Sequence, residues 1–361
     1  MNLQFFASKV FEKGGHISEE SFAGHREFFL GKSVNKLQKE LAKQGYITHV
    51  ERSTHPRSKA KKIVVDNKSK VKNITNVQVS PGSKRHGNTP YDLKFNSEEE
   101  ATKHFLARLE YQIKEEDPNR IGALFIETVP GSNGVYVYPK GYLRGGRELC
   151  TKYNILMVVD EVMAGFLRSG DWFAIQRENV EPDIITFAKG VNSSYAPLGG
   201  VLISKEIAEY YDKNAFSAGL TYNAHPLGVA AAIACIEEYD RLGIREHVLE
   251  LEPYLKERLH ELKEKHISIG DVRSIGLFGA IEFSRSKEER IPIQTIGSGR
   301  GFHQSFIEEL RKHGILTFGG GSSFLVTPPL IITKEELDEA LKRFDKAAEY
   351  VDRLVENGEG E

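Results

Sequence analysis

From residue 121 onward the chain alternates short apolar runs with longer amphipathic stretches. Ile121–Val129 (IGALFIETV), Ile155–Val159 (ILMVV) and Ile184–Ala188 (IITFA) have the length and β-branched content of buried parallel strands. Periodicity alone would also allow buried helix for such runs. Between the first two, PKGYLRGGRELCTKYN (Pro139–Asn154) predicts a helix that returns the chain to the sheet, a βαβ unit. Upstream, Ser97-x-x-Glu100 opens a helix whose apolar residues Phe105, Leu106, Leu109 and Ile113 recur at helical spacing. Downstream, VNSSYAPLGGVLIS (Val191–Ser204) is Gly-rich and then strand-like, and an alanine-rich helix follows His225-Pro226 within Gly219–Tyr239. Leu249–His266 reads as a charged amphipathic helix, Val272–Phe283 as a strand pair with glycines at its bend. Thr333 with Glu336 starts a terminal helix with an apolar stripe.

Residues 1–91 have a different pattern. Leu30–Leu41 predicts an amphipathic helix stopping near Gly45, and two short β-rich runs, Ile63–Val65 and Ile74–Val79, lie among basic residues before Pro81-Gly82. Charge marks the same division. Through Tyr91 the chain has 17 Lys+Arg against 7 Asp+Glu, and the remainder has 32 against 44. A step of this kind points to two segments of different origin or partner. Contact with nucleic acid is one reading of the basic segment. A solvated basic face on a small α+β module is the preferred one, because no aromatic stacking pattern accompanies the charge. Gly82–Asn88 (GSKRHGN) lacks the strand–loop–helix frame of a phosphate loop and reads as a turn.

With 361 residues the chain has room for two or three cores. Its two cysteines, Cys150 and Cys235, have no metal-ligand spacing and fit a reducing compartment. No apolar run approaches the ~20 residues of a membrane span. The opening MNLQFFA is too short for a signal-peptide core. A cytoplasmic protein without membrane or metal is the expectation.

Chemistry concentrates at two strand ends. Ile155–Val159 runs into Asp160, and Ile184–Ala188 into Lys189. Open α/β sheets bind ligands at the carboxyl ends of their strands, where these two groups could meet. An amine that condenses with an aldehyde and an acid that keeps a pyridine nitrogen protonated are what pyridoxal phosphate requires. A solvated strand-end lysine and a helix-capping aspartate are the plain alternative on spacing alone.

DEVMAGFLRSGDWFA, PDIITFAKG and YAPLGGV, in this order, resemble the class III pyridoxal-phosphate aminotransferases. The wording is nearest to the ω-transaminases and taurine–pyruvate aminotransferases, and the resemblance spans roughly Ile121 to Val351. It implies an α/β architecture: part of a fold-type I large domain, a mostly parallel sheet flanked by helices, over residues 92–239. A C-terminal α+β small domain over 240–361 follows, and the basic segment 1–91 precedes both. The implied activity is amino transfer from an amino donor to a 2-oxo acid in a homodimer. Lys189 would carry pyridoxal 5'-phosphate and move the proton, and Asp160 would pair with the pyridine nitrogen. Val162, two residues along an extended segment, would lie on the same side as Asp160 and pack on the ring. Thr221 would contact the cofactor phosphate of the neighbouring subunit. Glu127 would sit at the ring's edge, or be a solvated strand end. His225 reads as a turn residue before Pro rather than a catalytic group.

Departures from the family pattern are equally specific. The Gly/Ser-Ser/Thr-Glu-Ala loop that grips the phosphate and the Tyr-His-Gly segment that stacks on the ring are missing. Leu167 and Ser169 stand where the family usually has Gly and Thr. Gly314–Thr327 contains no Arg or Lys to hold a substrate carboxylate ahead of Pro328-Pro329. MNLQFFA and the basic stretch loosely resemble domains at the ends of phage structural proteins. The expectation is therefore the catalytic-lysine half of an aminotransferase joined to a basic module, with weak cofactor binding. The alternative is a catalytically empty chimera that binds through its basic end.

Overall fold

The computed structural model describes residues 95–216, 218–287, 291–293 and 301–357, and three short strands before them. Those strands, β1 (His16–Ile17), β2 (Ile47–Arg52) and β3 (Lys61–Asp66), form an antiparallel sheet in the order β1-β3-β2. β3 contains the expected run Ile63–Val65. The expected helix at Leu30–Leu41 and the run Ile74–Val79 lie outside the described residues.

Helix α1 (Glu98–Glu115) begins where its sequence signal lies. Ser97 Oγ accepts the Glu100 amide at 3.2 Å. Glu100 folds back onto the Asn96 amide at 2.8 Å, one residue earlier than in a regular capping box. Strands β4 (Ala123–Glu127), β5 (Leu156–Asp160) and β6 (Ile184–Phe187) are parallel neighbours, and β7 (Gly200–Ile203) closes the sheet antiparallel to β6. Helix α2 (Tyr142–Tyr153) makes the β4–β5 crossover. Met157 and Val159 of β5 are buried with Phe105, Leu109 and Ile113 of α1 and Tyr142, Leu143 and Cys150 of α2. Leu124, Ile126 and Ile185 pack against the same cluster. One face of the sheet is thus defined by the alternation of side chains along its strands.

The opposite face carries Phe125, Glu127, Leu156, Val158, Asp160, Ile184 and Thr186. Parallel sheets are ordinarily covered on both faces. Here Ala123 and Val158 are buried, whereas Leu156 is 41% exposed and Phe125 and Ile184 are half-buried.

Beyond β7 come α3 (Lys205–Lys213), α4 (Pro226–Arg241) and α5 (Ile244–Lys265), the last starting five residues before the expected Leu249. Val248, Leu251, Leu255, Leu259 and Leu262 form the buried stripe of α5. The predicted strand pair is the hairpin β8 (Ile269–Ile275) and β9 (Phe278–Ser286), turned at Gly276 with φ 57°. β10 (Ile291–Pro292), β11 (Gly319–Gly320) and β12 (Ser323–Val326) complete an antiparallel sheet around β9. Helices α6 (Gly301–Lys312) and α7 (Lys334–Glu356) pack on it around Phe283, Phe306, Phe324 and Phe344. The capping box of α7 has both halves: Glu336 N to Thr333 Oγ1 at 3.2 Å, and Thr333 N to Glu336 Oε2 at 2.9 Å. The two sheets share a core in which Val129, Val135, Ala164 and Ala174 meet Phe278, Ala280 and Leu325.

Candidate active site

Three of the expected residues converge. In the parallel register Glu127 lies opposite Asp160, and Asp160 opposite Thr186. Because Ile126, Val159 and Ile185 pack beneath the helices, Glu127, Asp160 and Thr186 form a row on the other face. Lys189 begins a 3₁₀ turn, Lys189–Val191, two residues after β6 ends. Its amine is close enough to the Glu127 carboxylate to favour that group's charged form. An amine and two carboxylates therefore stand at the carboxyl ends of three adjacent strands, the ligand-binding end of an open α/β sheet.

The carboxylates differ in surroundings. Glu127 is half-buried and accepts the Gly131 amide at 3.3 Å. Burial pushes its pKa above the usual range, helped by Asp160 and opposed by Gly131 N–H and Lys189. Asp160 is exposed, and its Oδ1 accepts the Val162 amide at 2.8 Å. Its other oxygen accepts no hydrogen bond among the described residues, leaving it available to a donor such as a protonated ring nitrogen.

Val162 does not follow Asp160 along an extended segment as expected. The chain turns immediately after Glu161, so the alternation that would align the two side chains does not apply. The Val162 amide bond to Asp160 closes the turn and keeps the residues adjacent. Thr221 is exposed in the turn ahead of α4, and His225 caps that helix, its Nδ1 accepting the Leu227 amide at 3.3 Å. Lys189 is exposed, with φ 43°, a left-handed conformation that costs a non-glycine residue about 1–2 kcal/mol.

Sequence reasoning missed the residues that hold this site. Glu161 is fully buried beside Asp160, and its two oxygens accept Ala174 N at 3.0 Å and Ile175 N at 2.9 Å. Burial lifts its pKa to about 7 against these amides. A second acid directly after a strand-end acid, amid apolar residues, was the available signal. Arg168 donates to Leu277 O at 2.8 Å and Pro328 O at 2.7 Å, tying the segment after β5 to the C-terminal sheet. Burial lowers its pKa to about 10.

A mostly parallel sheet beside an antiparallel C-terminal sheet is the fold this chain shares with solved transaminases. The family described as Aminotransferase class-III matches residues 31–348, and the chain belongs to that family. The chloroplastic gamma aminobutyrate transaminase 3 of Solanum lycopersicum is 32% identical over 280 residues, 75% of this chain and 53% of that protein. The diaminobutyrate–2-oxoglutarate transaminase of Halomonas elongata is 33% identical, covering 76% and 61%. Among solved structures, the taurine:2-oxoglutarate aminotransferase of Bifidobacterium kashiwanohense, in complex with PLP and glutamate, superposes with a TM-score of 0.71 at 40% identity. That superposition covers 73% of this chain and 59% of that one. The chain spans about half the length of the gamma aminobutyrate transaminases it matches. Enzymes of the class use pyridoxal phosphate. The match starts inside the basic segment, well before Ile121, so residues from 31 onward are not set apart from the family. The likeness of that segment to phage proteins stays an expectation.

The residues present fit the ring and aldehyde of that cofactor. Lys189 supplies an amine, Asp160 an available carboxylate oxygen, and Glu127 a second carboxylate on the same face. For the phosphate, Thr221 is the expected hydroxyl.

Proposed function

We propose that this chain holds pyridoxal 5'-phosphate over the ends of β4, β5 and β6 and takes part in amino transfer from an amino donor to a 2-oxo acid. The observation that carries the reading is that Glu127 and Asp160 lie opposite each other at adjacent strand ends, with Lys189 following the end of the next strand and its charge reaching Glu127. When bound, the cofactor supplies an electron-withdrawing ring that accepts charge from the carbon bearing the amine. The Lys189 amine would hold the cofactor through its aldehyde carbon and would move the proton between the donor's amine-bearing carbon and that aldehyde carbon. Asp160 would keep the ring nitrogen protonated through its available oxygen, and Glu127 would orient the ring's edge. Val162, held beside Asp160 by its amide bond, would pack on the ring face, and Thr221 would donate to the phosphate of a neighbouring subunit. The names of the relatives support terminal primary amines as donors and 2-oxoglutarate as acceptor.

Association is part of the proposal. Helix α4 is apolar on several sides, yet Leu227, Val229 and Ile233 are 69%, 38% and 52% exposed. Together with the partly exposed face of the β4–β7 sheet, where Leu156 is 41% exposed, this supports a homodimer. A stable monomer by light scattering would argue against it. Residues 1–91, 92–239 and 240–361 are proposed as the basic segment, the partial large domain and the small domain.

Cofactor binding is expected to be weak. A phosphate is normally held by a helix N-terminus with several amide donors, and the sequence lacks the family loop that provides them. Charge-assisted hydrogen bonds contribute about 1.5–3 kcal/mol each, so losing several weakens binding by orders of magnitude. Titration with pyridoxal phosphate, borohydride reduction and peptide mapping test the reading. Lys189 should be labelled only well above micromolar cofactor, and Lys189→Ala should remove the label. Label spread over other lysines and indifferent to that substitution would overturn the assignment. Stoichiometric label at micromolar cofactor would show the phosphate site to be complete.

A further inference from the structure

The turn carrying Lys189 is strained and is held by a hydroxyl 50 residues away in sequence. Lys189, Ser193 and Ser194 all adopt left-handed backbone, with φ of 43°, 50° and 68°. Three non-glycine residues in this conformation within six positions persist only when their surroundings fix them. One hydroxyl contacts both ends of the turn. Tyr239 of α4 donates to the carbonyl of Gly190, the residue after Lys189, at 2.6 Å. The Ser193 hydroxyl lies 2.7 Å from the same phenolic oxygen. A carbonyl can only accept, so the single Tyr239 proton goes to Gly190 and Ser193 is the donor in the second bond.

The packing around this clamp is tight. A Cβ at Gly190 would come within 2.8 Å of Phe166 Cβ. Val191 is buried with Phe166 and Ala232, and the Tyr239 ring packs against Trp172 at 6.2 Å. Buried Asn192 closes the far side, its Nδ2 donating to Ala196 O at 2.6 Å.

We propose that Tyr239 is a positioning residue for Lys189, its hydroxyl pinning the Lys189–Ser194 turn to α4 so that the amine faces the Glu127–Asp160 row. The proposal rests on the assignment of Lys189 as the cofactor amine. Tyr239 itself touches no reacting atom. Its effect is exerted through the Gly190 peptide, which sets where the Lys189 backbone points.

The test uses the full chain with pyridoxal phosphate as probe. The Lys189 amine condenses with the aldehyde, releasing water, and borohydride then adds hydride to the C=N bond, fixing the label for mapping. A second readout without cofactor is the pH profile of Lys189 acetylation by trace acetic anhydride. The variants are Tyr239→Phe, which keeps the ring and loses the hydroxyl, Ser193→Ala, and Trp172→Phe as a packing control. Tyr239→Phe should slow Lys189 labelling about tenfold and displace the acetylation profile, because reaction rates fall steeply as groups leave their aligned positions. Ser193→Ala should give a smaller effect in the same direction, and Trp172→Phe should lower thermal stability without changing either readout.

Wild-type chain that leaves Lys189 unlabelled would sink the lysine assignment itself. Wild type labelled at Lys189, with Tyr239→Phe matching it in rate and profile, would overturn the clamp alone. So would a Trp172→Phe effect as large as that of Tyr239→Phe, since packing would then explain both. If Tyr239→Phe does not fold, Ser193→Ala decides: slower labelling supports the clamp and an unchanged rate refutes it.

Discussion

Replacing Glu161 by Gln should reverse the sign of its effect on stability as pH rises. The side chain is fully buried and accepts two backbone amides, Ala174 and Ile175, so it fastens the segment after β5 beside Asp160. Its pKa lies at about 7 in the folded chain against an ordinary 4.5, because burial outweighs the amide bonds. Between these two values the folded chain keeps a proton that the unfolded chain has released. Stability from this group is therefore fully present below pH 4.5 and is lost as pH rises toward 7. At 1.36 kcal/mol per pH unit the loss is about 3 kcal/mol. A glutamine cannot ionise and shows no such loss. It can satisfy one of the two amides and leaves the other facing its own NH2, at a cost of about 1 kcal/mol. Glu161→Gln should thus be about 1 kcal/mol less stable than wild type near pH 4.5. Near pH 8 it should be about 2 kcal/mol more stable, with the crossing near pH 5–6. Urea denaturation of both proteins from pH 4.5 to 8 measures the difference, and groups common to both cancel. A difference constant to within about 0.5 kcal/mol across that range would refute the reasoning.

His266 is buried between Asp352, 2.6 Å from its Nδ1, and Asp345, 2.7 Å from its Nε2, joining the end of α5 to α7. His266→Ala should destabilise by about 2–4 kcal/mol, read as a lower thermal midpoint, because two carboxylates lose their bridge where water reaches them only in part. Asp345 responds to pH through the same contacts. Burial would raise its pKa, but hydrogen bonds from Lys265 and His266 outweigh this and hold it low, so its contribution disappears as pH falls through the acid range. Gly276→Ala should cost about 2–4 kcal/mol by urea denaturation: its φ of 57° is left-handed, and a Cβ would lie 2.6 Å from Arg168 O. The change in charge near Tyr91 places the first cut of limited proteolysis between about residues 87 and 98, and unfolding in a single transition without that cut would argue for one fused unit.

The sequence by itself determined what depends on local period and on end chemistry. Apolar runs of strand length, each closed by an acid or an amine, put Asp160 at the end of one strand and Lys189 just past the end of another. Ser97 and Thr333 marked helix starts because a cap and its partner lie three residues apart. The wording of the middle of the chain carried the family. Tertiary structure decided everything that depends on which surfaces meet. Val162 was expected on an extended segment, but the chain turns there, since Glu161 is drawn inward to the amides of Ala174 and Ile175. Only the register of β4 on β5 sets Glu127 opposite Asp160. The antiparallel return of β7 is likewise invisible in a short apolar run. The bond from Tyr239 to Gly190 joins a helix to a turn 49 residues away, and no spacing rule reaches that far. A side chain's period follows from its neighbours in sequence, whereas its partners are fixed by the path of the whole backbone.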